Sequence, residues 1–240
     1  MPAPPAQEQP DDLDIEITAS ATDEALGEDP AHREGVDLLP LGQPTHDPRF
    51  LLGYPCLKQI LAHGRRHDDT EVGGVLLGRI WRCERGRVTE VTETLPAVKT
   101  EAGLGHVTFS HETWQEIYNE LDRRPSELKI VGWYHTHPGF GVFYSEHDRF
   151  IQRHFFAGDG QLGIVVDPQP MAVAAFECQD GEVLELPGLL LTADRTTQGA
   201  ANNLIHSLSF PGAGHAGTGI FQRLSEPTRT ARTRRGAADK

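Results

Sequence analysis

Residues 128–148 read LKIVGWYHTHPGFGVFYSEHD, and this stretch decides the fold. Its first part, Leu128 to His137, is apolar and rich in β-branched and aromatic residues, so it reads as a strand that Pro138-Gly139 brings to an end. Side chains of a strand alternate faces, which places His135 and His137 on one side and Thr136 on the other. A glycine-bearing loop then leads to Ser145, which stands at the N-cap of a helix over 145–156 and puts Asp148 at its third helical position. In the first turn the helix dipole favours a charged carboxylate. Two imidazoles at a strand end and one carboxylate on the following helix supply three zinc ligands and leave a fourth position open, the arrangement of a catalytic rather than a structural zinc site. A Ser-x-x-Asp helix start and a His-x-His pair are each common by themselves, and the chain has 12 histidines. Their combination across one strand-to-helix turn is what carries information.

Working outward, Trp114, Ile117, Tyr118 and Leu121 recur at helical spacing behind Ser110, a second N-cap, with a short strand over 106–109 before it. Arg87 to Thr94 is a β-branched strand, and Glu71 to Trp81 (EVGGVLLGRIW) reads as a buried one. Tyr54 to His63 carries Leu57, Ile60 and Leu61 on one helical face. Downstream, Gln161 to Val166 and Ala172 to Cys178 are strands separated by the turn signal Asp167-Pro168, and a last helix is expected over 196–206. The sum is a single α+β domain over residues 36–208. Residues 1–35, rich in Pro, Ala, Asp and Glu, read as a disordered acidic tail whose removal should leave the melting temperature nearly unchanged. Residues 209–240 read as a flexible tail made basic by Arg229, Arg232, Arg234 and Arg235. Its glycines have no Gly-Lys-Ser/Thr behind them and no strand before them, so they do not form a phosphate loop.

Three widely spaced cysteines, Cys56, Cys83 and Cys178, form no CxxC pair, which argues against a disulfide framework and a thiolate zinc site. The net charge of −13 argues against nucleic acid as partner. No stretch reaches the length of a membrane span, and the first residues lack the basic and apolar regions of a signal peptide, so a cytoplasmic location is expected.

The segment Glu71-Val72-Gly73-Gly74-Val75-Leu76-Leu77-Gly78, then Gly132-Trp133-Tyr134-His135-Thr136-His137-Pro138, then Ser145-x-x-Asp148 closely resembles the JAMM (MPN-domain) metalloproteases. That family's pattern is a glutamate on an early strand, then H-x-H, seven residues, S, two residues, D, and this sequence has seven residues between His137 and Ser145. Thr108 to Glu112 and Val165 to Pro168 are also similar to the family's surroundings, so the resemblance spans residues 36–178. It implies a single MPN/JAB-like domain with a central mixed sheet flanked by helices. It implies one Zn2+ on His135, His137 and Asp148, with Glu71 as the base that carries a proton from water to the leaving amine. Ser145 would donate its hydroxyl to the developing oxyanion. The expected substrate is an isopeptide or peptide bond at the C-terminus of a ubiquitin-like protein.

Other relatives release small groups from sulfur-carrier proteins, or are phage-tail and peptidoglycan-related hydrolases, and the metal chemistry alone does not separate these. Some relatives have lost the metal and act as scaffolds, typically missing a ligand, whereas all of them are present here. After Asp148 only Cys178 and scattered histidines are available, so the additional Cys/His zinc site of chain-binding members looks absent. His111, His147 and His154 are expected to be surface or helix residues, and Trp133 and Tyr134 core or pocket wall. The richness in Ala, Gly, Pro and Arg suggests a stand-alone prokaryotic member.

Overall fold

A computed structural model of the chain describes residues 27–46, 48–97, 107, 109–125 and 127–212. The disorder expected for the tails therefore falls mostly outside the described residues, as do residues 106 and 108 of the short strand before Ser110.

Among the described residues, nine strands join one sheet: β1 (Val36–Gly42), β2 (Phe50–Gly53), β3 (Gly73–Cys83), β4 (Gly86–Pro96), β5 (Lys129–Thr136), β6 (Leu162–Asp167), β7 (Ala172–Gln179), β8 (Glu182–Glu185) and β9 (Gly188–Asp194). Their order is β1-β9-β2-β4-β3-β5-β6-β7-β8. β2 runs parallel to β4 and β9, and β5 parallel to β6, while the other pairs are antiparallel. Four helices cover the sheet: α1 (Tyr54–Arg65), α2 (His111–Leu121), α3 (Glu146–Phe155) and α4 (Gln198–Ser207). The mixed α and β class holds, and a parallel β5–β6 pair joined through α3 is the expected way to bring two parallel strands side by side.

The helices sit on both faces. Leu57, Ile60 and Leu61 of α1 and Ala201 of α4 bury against Val131, Tyr134, Ile164 and Val166. On the other face Trp114 and Ile117 of α2 and Ile151 of α3 bury against Val75, Leu77, Trp133 and Val165. Each of the leucine, isoleucine and valine side chains contributes about 1.5–3 kcal/mol when removed from water.

The phase of β5 is set by a bulge. Leu76 lies opposite Gly132 and Leu77 opposite Ile130, so Val131 is an extra residue in the ladder. Ile130 faces α2 and α3, and strict alternation from it would turn residues 133, 135 and 137 to the opposite face. The bulge reverses the phase, and Trp133 lands in the α2/α3 cluster with His135 and His137 following it. Gly132 has φ +153, and a Cβ there would lie 1.9 Å from the Leu162 carbonyl oxygen of the neighbouring strand. Backbone cannot yield as a flexible side chain can. Gly132→Ala is therefore expected to cost about 3 kcal/mol or more, read as a lowered urea midpoint, since overpacking and a strained dihedral add.

Residues 27–35, assigned by composition to the acidic tail, pack on the β3–β4 hairpin. Gly27 N–H donates to the Arg82 carbonyl (2.9 Å), and Pro30 is buried at the start of a 3-10 turn over Pro30–His32 capped by Asp29. The Arg85 guanidinium donates to both carboxylate oxygens of Asp29, and Arg33 bonds Glu90 (2.8 Å), which also accepts from the Trp81 indole (3.0 Å). Composition was misleading because ion pairs and one proline do what an apolar stripe normally does. Truncation through residue 34 is accordingly expected to lower the melting temperature. Asp29→Ala alone should cost about 1.5–3 kcal/mol, the usual range for hydrogen bonds to charged groups. The Arg85 hydrogen bond holds the Asp29 carboxyl below its ordinary range. Its contribution is therefore present at neutral pH and fades as pH falls through the carboxylate range.

Candidate metal centre

The site forms where β5 ends. His137 N–H donates to the Val166 carbonyl of β6 (2.9 Å), so the ladder carries the strand conformation through both histidines. Thr136, facing the opposite way, accepts the Val72 N–H on its hydroxyl (3.0 Å) and gives its own N–H to the Val72 carbonyl (2.9 Å). These two bonds clamp Val72 to the strand end and so bring Glu71, just ahead of β3, beside His137. Trp133 stacks on the His135 ring (centroids 4.6 Å apart, 13° between planes), and its indole N–H is held by Gln152 (2.8 Å), which also accepts from the Tyr144 hydroxyl (3.1 Å).

Ser145 caps α3 in a full capping box. Its hydroxyl accepts the Asp148 N–H (3.2 Å) and donates to Asp148 Oδ2 (2.6 Å), while Ser145 N–H donates to the same oxygen (2.7 Å). Oδ2 is thus held in place, and Oδ1 is turned to His135 Nε2 at 3.3 Å. The Ser145 hydroxyl proton is engaged with Asp148, which makes the cap its visible role.

The ligand atoms converge. His135 Nε2 and His137 Nε2 are 3.1 Å apart, and His137 Nε2 lies 3.8 Å from Asp148 Oδ2. With one ligand atom from each residue, the three lie within 4.8 Å of one another, close enough to share one metal ion. All three residues are buried. Glu71 Oε1 stands 3.8 Å from His137 Nε2, next to the group. The structure therefore brings Glu71, His135, His137, Ser145 and Asp148 together. Among the described residues, these two histidines and Asp148 are the one group able to hold a metal ion; His111 lies on α2, and His147 and His154 lie on α3 outside that group.

The electrostatics suit a cation. Burial opposes ionisation of Asp148, but His135 and Ser145 outweigh it and hold the carboxyl below its usual range. Burial, then the neighbouring His135, lowers His137 to about 4 against the pull of Asp148 and Gly141, so its ring is neutral at neutral pH. A neutral imidazole and an ionised carboxylate are the forms that bind metal. Burial, with Asp148 adding to it, raises Glu71 to about 7, the range in which a general base works best near neutrality.

One contact was not anticipated. His137 Nδ1 lies 3.1 Å from the Gly141 carbonyl, and the loop carrying Gly141 is bonded to the buried carboxylate of Asp167. The signal available in the sequence was an acidic residue at the end of an otherwise wholly apolar buried strand. Cys56, Cys83 and Cys178 are buried and form no disulfide with one another. No helix among the described residues is long and apolar enough to cross a membrane.

A sheet covered by helices on both faces, with His-x-His at a strand end and Ser-x-x-Asp opening the next helix, defines an MPN-type domain in which His135, His137 and Asp148 could hold a metal ion. Residues 52–157 match the family described as JAB1/Mov34/MPN/PAD-1 ubiquitin protease, so this part of the chain is a JAB/MPN domain. It is 35% identical over 129 residues to COP9 signalosome complex subunit 5 of Candida glabrata, covering 49% of this chain and 26% of that protein. It is 29% identical over 114 residues to 26S proteasome non-ATPase regulatory subunit 14 of Drosophila melanogaster, covering 47% and 36%. It is 27% identical over 114 residues to ubiquitin carboxyl-terminal hydrolase RPN11 of Saccharomyces cerevisiae, again 47% and 36%. The matched region thus spans about a quarter to a third of these relatives.

Proposed function

We propose that the chain is a zinc-dependent hydrolase that cleaves an isopeptide or peptide bond at the C-terminus of a ubiquitin-like protein. The observation that carries this reading is the Glu71 carboxylate 3.8 Å from His137 Nε2, beside a buried His135–His137–Asp148 group whose ligand atoms lie within 4.8 Å of one another. The family description and the ubiquitin hydrolase among the relatives support the substrate class.

His135, His137 and Asp148 hold the metal, and the bonds from Ser145 fix the Asp148 rotamer so that one oxygen is presented. When bound, zinc supplies a Lewis acid for the scissile carbonyl and lowers the pKa of a water towards about 7. Glu71 accepts the proton of the attacking water and returns it to the leaving amine. The positive end of the α3 dipole favours the ionised form of the Asp148 carboxylate. Ser145 has a second role open to it, since rotation of its hydroxyl away from Asp148 supplies a donor for the developing oxyanion.

The test is a panel of linear and lysine-linked ubiquitin-like fusions incubated with the purified chain, with and without chelator. Cleavage after the modifier's C-terminal residue, abolished by chelator and restored by zinc, is expected. Zinc-loaded protein that cleaves none of the panel would remove the substrate assignment.

A further inference from the structure

The loop between the second histidine and the capping serine is held by a carboxylate that no ligand role requires. Asp167, at the end of β6, is 1% exposed. Its Oδ1 accepts the Gly139 N–H (2.9 Å) and the Gln169 N–H (3.1 Å), and its Oδ2 accepts the Gly141 N–H (2.7 Å). The bond to Gln169 is an ordinary local turn. The bonds to Gly139 and Gly141 reach back 28 and 26 residues and have no such local explanation. Gly139 (φ +78) and Gly141 (φ +84) take left-handed conformations, which aim their N–H groups at one carboxylate. That conformation delivers the Gly141 carbonyl to His137 Nδ1 at 3.1 Å. A carbonyl oxygen only accepts, so Nδ1 carries the proton and Nε2 is left with its lone pair facing the ligand group.

We propose that Asp167 is a positioning residue for the metal centre: it clamps residues 139–141 so that the Gly141 carbonyl locks His137 in the Nδ1–H tautomer. The inference rests on the zinc reading only for its effect on metal affinity, because the tautomer is a property of the chain itself. Outer-shell partners of this kind usually change metal affinity by about 10–100-fold when altered. Asp167→Asn keeps the size of the side chain but sets an amide N–H₂ against one of the two glycine N–H groups, which releases one end of the clamp.

The experiment compares wild type, Asp167→Asn and Gly141→Ala by nitrogen NMR of 15N-histidine-labelled protein stripped of metal, and by zinc titration against a chromophoric chelator. An alanine Cβ at residue 141 meets nothing within 4 Å, so that variant strains the loop without filling occupied space. The proposal expects a single Nδ1–H form of His137 in the wild type and a mixture of tautomers in both variants. It also expects a 10–100-fold weaker zinc Kd at unchanged far-ultraviolet circular dichroism. The same tautomer and Kd in wild type and Asp167→Asn would overturn it. If Asp167→Asn does not fold, unchanged tautomer and Kd in Gly141→Ala overturn it instead. A wild type that binds no zinc yet shows the tautomer shift on substitution would sink the hydrolase reading and leave the positioning role standing.

Discussion

Glu71→Gln should retain one zinc per chain and lose turnover by about 10²–10⁴-fold, the usual contribution of a positioned general base. Glutamine preserves the volume and the hydrogen-bonding reach of the side chain, so Val72, clamped to Thr136 on both its polar groups, has no reason to move. What disappears is the one basic oxygen outside the ligand set, held 3.8 Å from His137 Nε2. Loss of a nearby negative charge also weakens the hold on a cation, but no ligand atom is removed. The variant therefore separates binding from chemistry. Activity within tenfold of wild type at full zinc occupancy would take Glu71 out of the base role, and zinc loss on this substitution would make it a ligand.

His135→Ala should bring zinc content to background and abolish turnover together. His135 is fully buried against the Trp133 ring, so its removal deletes a donor from the interior of the site. Two remaining protein ligands do not hold zinc against a weak chelator. A folded state that binds metal gains stability by mass action, about 4 kcal/mol when free zinc is a thousandfold above Kd. Wild-type protein should accordingly melt at a lower temperature in chelator, while the melting temperature of His135→Ala should be indifferent to chelator. A chelator-sensitive melting curve in the variant would place the metal elsewhere in the molecule.

Much of the site was legible because it is local in sequence. His135, Thr136 and His137 occupy consecutive strand positions, and Ser145 to Asp148 form one helix start, so the two periodicities of 2 and 3.6 place three candidate ligands without long-range information. Glu71 was not legible in this way. It precedes His135 by 64 residues and was identified by resemblance alone, and its physical reason for being there, the double bond between Val72 and Thr136, is a tertiary contact. The helices with apolar stripes, α1 and α2, were readable within a few residues of their ends, and Ser110 and Ser145 are the caps their positions implied.

What escaped has specific causes. β2 is four residues long, too short to show a period. β1 contains Pro40, which argues against a strand except at a sheet edge, and an edge is where the topology puts it. β8 and β9 lie beyond the stretch that resembles the family. The bulge at Val131 leaves only an isolated glycine as its trace, yet it decides which face receives the histidines. Alternation over residues 135–137 puts both histidines on a common face without specifying which face that is. The clamp from Asp167 is invisible for the same reason as Glu71, since it joins residues that the chain keeps more than two dozen positions apart.

The direct test is the metal content of the purified chain, freed of adventitious ions by dialysis and measured beside His135→Ala. The account predicts one zinc per folded wild-type chain and background zinc in the variant. It also predicts a tetrahedral visible spectrum when cobalt replaces zinc. Folded wild-type protein that carries well below one zinc per chain, and takes up none when it is offered, would contradict it.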